Sequence, residues 1–394
     1  MDRVLLARTC STGCWCWTVH LCIRRRFLDA SGGVFTGTSF EVLTSPIPAH
    51  YIYPGPLGQG LQVDMSVLPA RVARLDGVSI VAVAVGRGHA ILCSSLGAVY
   101  SFGYGSPDNR RHSALGHGNL LNYHSPHHIA YLSGVCVISV AAGKFHSLLL
   151  TQQGRVITFG ANFNGQLGRP RDAVDKAPYP SLSPAYVEAL QGVTISGIAA
   201  GGNSSFVWST AGVVYYFGAN DPCMGHGEVE APVLAPQVIA ALVDIPISAV
   251  SLSTRHTLAI SFYSELYSWG KGNEGQLGHG SDDHDYYLPR LVDFFAQRPV
   301  MSVAAGCCHS VVLCECGVYT FGDPRQLGHA TIQNEFPGIP RAVSMLHGLR
   351  VCSVHAGTHC SYAVTLSGDV YFWGSNLYES VLEPEHIMLL RLSI

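Results

Sequence analysis

Charge and long hydrophobic runs are both scarce in this chain. Only 12% of its 394 residues are Asp, Glu, Lys or Arg, and the formal net charge is −3. This composition excludes a highly charged disordered protein and gives no general attraction to nucleic acid or to an anionic membrane. The most apolar N-terminal stretch, residues 13–23, contains His20 and is shorter than a membrane-spanning helix. We therefore expect no membrane span.

The cysteines lack the pattern of a disulfide framework or a metal site. Their number, 13, is odd, and several stand singly in apolar runs, namely Cys93, Cys136, Cys223 and Cys352. Four more lie close together near the N-terminus, Cys10, Cys14, Cys16 and Cys22, without the second pair that a zinc site requires. We expect no cofactor and no metal, thiols that stay reduced, and a cytoplasmic location, a nuclear one, or both.

Glycine, by contrast, is abundant, with 43 residues that recur at fixed places. An aromatic residue followed by glycine marks six copies of a repeat: Phe102-Gly103, Phe159-Gly160, Phe217-Gly218, Trp269-Gly270, Phe321-Gly322 and Trp373-Gly374. The last three steps between these glycines are 52 residues each. A second spacing is stricter, because a proline stands 17 residues before one Gly or Ser position in each copy, as Pro126 does before Gly143. Such periodicity indicates an array of equivalent structural units.

Each unit has the pattern of a small antiparallel sheet. Short β-branched runs such as residues 137–142 predict buried strands, and the glycine of residues 151–154 predicts a hairpin between two further strands. The proline-led stretch before each buried strand is expected to supply a fourth, outer strand. A sheet of this size cannot bury both faces alone, so radial stacking into a β-propeller is expected.

The predicted fold class is therefore all-β, a seven-bladed β-propeller of four-stranded antiparallel blades. Residues 384–394 begin like a further unit, and the N-terminal region lacks the proline-led opening. We expect the C-terminal strand to join the N-terminal blade and close the ring. Residues 31–394 then form a single propeller domain, which we expect to be a monomer. Two placements stay open for residues 1–30, within the closing blade or outside it.

The unit resembles the repeat of the regulator of chromosome condensation family. The resemblance is carried by Gly143, His146, Ser147, Gly154, Phe159-Gly160 and residues 164–168, with similar runs at residues 273–278 and 326–328. The resemblance implies a seven-bladed propeller, and founding members of the family promote guanine-nucleotide exchange on the Ran GTPase. Four positions depart from the pattern and indicate a divergent member: Ser204, Ser253, Ser264 and Cys360.

Histidines recur at one place in four of the copies: His89, His146, His256 and His309. Equivalent residues of different blades are spread around a ring, so they cannot converge on one metal ion. We predict a structural role, in which each imidazole hydrogen-bonds a nearby backbone group and locks its turn.

Charged loops are informative because charge is so scarce. Six residues in two loops are candidates for partner binding: Asp282, Asp283, Asp285 and Tyr286 after one Gln-Leu-Gly run, and Arg110 and Arg111 in the longest insertion. Acidic and basic loops at the rim of a propeller suit partners of opposite charge. The alternative is that both loops serve only to keep the protein in solution.

No nucleophile–base pair, cofactor loop or metal constellation is evident, so catalytic side chains are not predicted. The resemblance implies a regulatory protein-binding propeller, and at most a guanine-nucleotide exchange factor for a Ran-like small GTPase. A second hypothesis is a non-catalytic scaffold or adaptor for cytoskeletal or ubiquitin machinery. Chromatin binding is a third, disfavoured because residues 24–26 form the only basic run. Photoreception, known in plant relatives with Trp-Arg pairs, is disfavoured because this chain has none.

Overall fold

A computed structural model describes eleven ranges of the chain. They are residues 19–24, 39–44, 70–72, 74–105, 113–169, 181–219, 225–227, 231–280, 284–329, 338–375 and 380–387. Within these ranges the regular structure consists of β-strands and short 3-10 helices. No helix there has the length and hydropathy that a bilayer crossing requires.

The strands are numbered in chain order. An N-terminal sheet contains β1 (Val19–Arg24), β2 (Ser39–Thr44) and β3 (Ala70–Arg71). Blade 1 contains β4 (Ile80–Val85), β5 (His89–Ser94), β6 (Val99–Gly103) and β7 (Tyr123–His128); blade 2 contains β8 (Val137–Ala142), β9 (His146–Thr151), β10 (Val156–Gly160) and β11 (Ser181–Tyr186). Blade 3 contains β12 (Ile195–Gly201), β13 (Ser204–Ser209), β14 (Val214–Gly218) and β15 (Val233–Val238).

The second half of the chain continues in the same way. Blade 4 contains β16 (Ile247–Leu252), β17 (His256–Ser261), β18 (Leu266–Gly270) and β19 (Tyr286–Leu291). Blade 5 contains β20 (Val300–Ala305), β21 (His309–Cys314), β22 (Gly317–Gly322) and β23 (Arg341–Ala342); blade 6 contains β24 (Val351–Ala356), β25 (Cys360–Thr365), β26 (Val370–Ser375) and β27 (Ser380–Ile387). Short 3-10 helices lie at Ala130–Leu132, Glu188–Leu190, Ala240–Leu242, Asp293–Phe295, Pro324–Gln326 and Ser344–Leu346.

Strand order is the same in all six blades. Each strand pairs antiparallel with the strand that follows it, in the order first, second, third, fourth. The first strands of successive blades, such as β4 and β8, lie next to one another. The first strands therefore surround the axis of the propeller, and the fourth strands lie at its outer edge.

The predicted number of seven four-stranded blades is wrong. The described residues form six four-stranded blades, and the N-terminal sheet has only three strands, in the order β1-β2-β3. This sheet lies beside blade 1, where β1 adjoins β4. Its segment of the sequence contains no Gly-x-x-His turn, which joins the first and second strands in the regular copies. Among the residues that the structure describes, this copy has no fourth strand and is therefore not a complete blade.

The predicted ring closure is also wrong for the described part of that segment, residues 384–387, while residues 388–394 lie outside the described residues. The C-terminal strand β27, which contains Pro384, pairs with β26 of its own blade. The fourth strands of blades 1 to 4 also contain a proline, at Pro126, Pro184, Pro236 and Pro289. The proline therefore marks the outer strand of the preceding blade, not the opening of a new one. Proline suits this place because an edge strand without an N–H donor cannot extend the sheet.

Neighbouring blades pack through two parts of the repeat, the aromatic residue of the aromatic-glycine marker and the glycine that ends the Gln-Leu-Gly run. The aromatic residue of each aromatic-glycine marker is fully buried. A β-carbon added to Gly168, the last residue of a Gln-Leu-Gly run, would lie 2.9 Å from Cδ2 of Phe217 in the next blade. The same contact joins Gly116 to Phe159, Gly225 to Trp269, Gly278 to Phe321 and Gly328 to Trp373. Glycine is required there because a side chain would collide with the neighbouring ring.

Candidate functional site

Strand direction divides the propeller into two faces. The turn between the first and second strands and the long loop between the third and fourth strands lie at the same end of each blade, termed the loop face. The hairpin between the second and third strands and the connection to the next blade lie at the opposite end, termed the hairpin face. Asp285 and Tyr286 therefore lie on the loop face. Asp282, Asp283, Arg110 and Arg111 lie outside the described residues.

Just beneath the loop face, buried histidines link neighbouring blades. His146 Nε2 lies 2.9 Å from the hydroxyl oxygen of Ser205 in the next blade, and Ser205 donates to the carbonyl oxygen of Gln166 at 2.8 Å. Because the hydroxyl proton is used on that carbonyl, His146 must be the donor, which fixes its Nε2–H tautomer. This arrangement is termed the His–Ser clamp. It also joins His89 to Ser147 (3.1 Å), His256 to Ser310 (2.8 Å) and His309 to Ser361 (2.8 Å).

Burial holds three of the clamp histidines in their neutral form. Desolvation lowers the pKa of His146 to about 3 and the pKa of His89 and of His309 to about 4. The hydroxyl partner lies in the next blade, whereas the sequence predicted a backbone partner within the same turn. Among the residues that the structure describes, no group of three or more His, Cys, Asp or Glu side chains is arranged to hold a metal ion.

The seam between blades 3 and 4 has no clamp. Ser204 stands at the histidine position, and its buried hydroxyl oxygen has no hydrogen-bond partner among the described residues. A β-carbon added to Gly201 would lie 2.8 Å from Cγ of Leu252, whereas one added to Gly143 would lie 2.0 Å from Cε1 of His146. Leu252 of blade 4 therefore fills the space that an imidazole fills in the clamped blades. The Gly225–Trp269 contact of this seam is retained.

Basic side chains are carried by three turns that surround the axis on the loop face. Arg87, Lys144 and Arg255 occupy the two positions between the Gly or Ser and the His of their copies. The first two of these turns are joined by a backbone hydrogen bond from Arg87 N to Lys144 O at 3.1 Å, and Lys144 N donates in turn to Gly202 O of the blade 3 turn at 2.7 Å. Sequence reasoning missed these residues. The available signal was that these two positions vary between copies that are otherwise alike.

The described part of the acidic loop is held close to blade 4. Asp285 Oδ1 accepts a hydrogen bond from Gly272 N at 3.0 Å, as Asn122 Oδ1 accepts one from Gly105 N at 2.9 Å in blade 1. Tyr286 begins β19, and its ring lies 4.8 Å from the Arg290 guanidinium. Asp285 therefore fixes the base of the loop with one oxygen. Whether these residues contact a partner stays a prediction.

The hairpin face carries exposed apolar side chains at the tips of its hairpins. Leu96 and Tyr263, both at the tips of hairpins between second and third strands, are 90% and 74% exposed. Phe262 lies beside Tyr263 in the same hairpin, and Leu366 lies at the equivalent tip of blade 6; both are also exposed. Large apolar side chains that recur at one end of the fold are a feature of interaction surfaces.

Comparison with known proteins assigns a family. Residues 108–382 match the RCC1-like domain. The chain is 31% identical over 324 residues to the ultraviolet-B receptor UVR8 of Arabidopsis thaliana, an alignment that covers 81% of this chain and 70% of the relative. It is 34% identical over 315 residues to the human E3 ubiquitin-protein ligase HERC2, covering 77% of this chain but only 6% of that relative.

Solved structures share the fold at lower sequence identity. Human WBSCR16 superposes with a TM-score of 0.71 at 23% identity, covering 82% of this chain and 85% of the other. Prp20p of Saccharomyces cerevisiae superposes with a TM-score of 0.69 at 21% identity, covering 87% and 80% of the two chains. With the match over residues 108–382, the repeated Gly-x-x-His turns and the Gln-Leu-Gly loops, this chain belongs to the RCC1-like domain family.

Proposed function

We propose that this propeller is a regulatory module that binds a protein partner on its loop face. The observation that carries the proposal is that the long loops and three basic turn residues, Arg87, Lys144 and Arg255, lie on the same face. The acidic run of residues 281–287 belongs to one of those loops. Binding residues are commonly carried by loops on a rigid scaffold, and mixed charge favours a polar, complementary partner.

The partner that we propose first is a Ran-like small GTPase, with the propeller acting as its guanine-nucleotide exchange factor. The crystal structure of Prp20p, which shares the fold, is described together with the binding of that protein to Gsp1p and histones. A protein that binds a GTPase more tightly without nucleotide than with it must weaken nucleotide binding by the same factor. Exchange therefore needs surface contacts and no covalent chemistry, which fits a site made of turns and loops.

The test is the release of fluorescent GDP from Ran with and without the propeller. We expect faster release with the wild-type chain, and a loss of about tenfold or more in the triple variant Arg87→Glu, Lys144→Glu and Arg255→Glu. The matched control is Arg350→Glu, which reverses an exposed charge on the hairpin face and leaves release unchanged. If the wild-type chain does not accelerate GDP release from Ran, the proposed exchange activity is excluded.

A second candidate is a non-catalytic adaptor that binds through the hairpin face, favoured by the exposed tips Leu96, Tyr263 and Leu366. In HERC2 the region similar to this chain is 6% of a much longer protein. The adaptor is supported if GDP release is unchanged and partner capture is lost in the double variant Leu96→Ser and Tyr263→Ser. Capture that instead depends on Arg87, Lys144 and Arg255 would exclude it.

A further inference from the structure

The turns of blades 1 and 2 place an aromatic ring beside two cations on the loop face. The centroid of the Phe145 ring lies 5.4 Å from Nζ of Lys144 and 5.8 Å from Cζ of Arg87 in the neighbouring blade. All three side chains are half-buried. Separations of up to about 6 Å allow a cation–π attraction, so the ring holds both cations at one place.

Hydrogen bonds within and between the blades fix the backbone under this group. Arg87 N donates to Lys144 O at 3.1 Å, which joins the two turns. His146, which follows Phe145 directly, is held by its contact with Ser205 of the next blade at 2.9 Å. A ligand would therefore have to order only the ends of the two cationic side chains, which keeps the entropy cost of binding low.

Another part of the loop face has a different arrangement of charge. In blade 5, Arg325 Nη2 lies 2.7 Å from Asp323 Oδ2, and the same oxygen accepts a hydrogen bond from Gln326 Nε2 at 3.1 Å. The turns of blades 1 and 2, residues 86–89 and 143–146, contain no Asp or Glu. They bring two charges of the same sign to one ring, an arrangement that suits an anionic ligand.

We infer that Arg87, Lys144 and Phe145 form a binding site for an acidic segment of a protein partner, whose carboxylates pair with the two cations. This inference rests on the proposed binding of a protein to the loop face. A carboxylate beside both cations lowers their mutual repulsion and accepts charge-assisted hydrogen bonds from them. The edge of an aromatic ring carries a positive partial charge, so the ring also favours an anion at its edge.

A nucleic acid fits this site less well than an acidic protein segment. Nucleic acids are bound by several cations along the phosphate backbone, and the counterions released at each contact supply much of the affinity. Here two cations share one ring, in a chain whose formal net charge is −3. Two neighbouring carboxylates of a partner match the site in number and in sign.

The test is the binding of a fluorescein-labelled peptide of alternating Glu and Leu to the full-length chain, followed by fluorescence anisotropy. The same peptide with Lys in place of Glu is the control probe. We expect saturable binding of the acidic peptide only, weakened about tenfold by Arg87→Gln or Lys144→Gln and about threefold by Phe145→Leu. The matched control Arg350→Gln removes an exposed charge on the hairpin face and leaves the affinity unchanged.

Three results would overturn the inference. They are equal binding of the acidic and basic peptides, an affinity that does not respond to Arg87→Gln or Lys144→Gln, and tighter binding of a single-stranded oligonucleotide than of the acidic peptide. Circular dichroism of each variant checks that the fold is kept.

GDP release from Ran, measured on the same proteins without peptide, separates this site from the proposed exchange activity. If the acidic peptide binds through the two cations and release is not accelerated, the site stands and the exchange activity fails. If release is accelerated and the acidic peptide does not bind, the exchange activity stands and the acidic-segment site fails.

Discussion

The clamped seams and the seam between blades 3 and 4 hold neighbouring blades together by different means. In a clamped seam such as that of blades 2 and 3, His146 donates to a hydroxyl of the next blade. Between blades 3 and 4, Leu252 fills the equivalent space and Ser204 makes no such bond. Both kinds of seam keep the glycine–aromatic contact. That contact therefore suffices to set the spacing of the blades, and the clamp is an exchangeable element.

Acid is expected to have the largest effect on the free energy of unfolding, because it acts on several clamped seams at once. An unfolded histidine titrates near pH 6.5, whereas the pKa of His89 and of His309 is about 4 in the folded protein. Between these values the unfolded chain binds protons that the folded chain excludes. Stability is therefore full above pH 6.5 and falls as the pH approaches 4, by on the order of 3 kcal/mol for each buried histidine. Urea denaturation at a series of pH values measures this loss.

The variant His146→Gln tests the origin of that pH dependence. It removes one titrating group from a clamped seam, so the fall in stability between pH 6.5 and 4 should be smaller by about one histidine's share. Ser204→Gln at the unclamped seam serves as the control and should leave the pH dependence as in the wild type. Equal pH dependence in all three proteins would show that the clamps do not carry the effect.

Truncating a clamp histidine is the next largest effect. His146→Ala opens a cavity and leaves Ser205 with one contact fewer, so we expect a loss of about 3 kcal/mol at pH 7.5. The control is Ser204→Ala, which removes a buried hydroxyl without a hydrogen-bond partner among the described residues and should be neutral or slightly stabilising. Denaturant midpoints of the two variants give the comparison directly. Equal losses would mean that the clamp contributes no more than ordinary packing.

Building a clamp into the unclamped seam is expected to have the smallest effect on stability, and it is the most specific test of the comparison. Ser204→His alone should cost about 2 kcal/mol, because the new ring meets Leu252. Adding Leu252→Ala makes room, and Thr257 already carries a hydroxyl at the position of the clamp serine, so the double variant should recover to within about 1 kcal/mol of the wild type. A double-mutant cycle on these positions measures the coupling. Simple additivity would show that Leu252 and residue 204 do not share one space.

The repeat could be predicted from the sequence because the same spacing recurs six times. Four-stranded antiparallel blades and the RCC1-like family follow from it and are confirmed. The blade count and the closure could not be predicted, since a proline such as Pro384 has the same local pattern whether it opens a unit or ends one. Only the pairing of β27 with β26 distinguishes the two.

The candidate site was predicted less completely than the fold. The sequence directs attention to the charged run near Asp285, which the structure describes only from His284 onward. It does not reveal that Arg87, Lys144 and Arg255 lie on the same face, because these residues are separated in the sequence by whole repeats.

The position of the proline in the outer strands of blades 1 to 4 and 6 shows where the chain can be cut. A fragment that ends at a sequence repeat, just before Pro126 for example, removes half of β7 from blade 1 and exposes N–H and C=O groups of β6. Such a fragment presents an unprotected edge that favours aggregation. Expression fragments, permuted termini and inserted tags should therefore end in the connections at Ala130–Leu132, Glu188–Leu190 or their equivalents, where whole blades are kept intact.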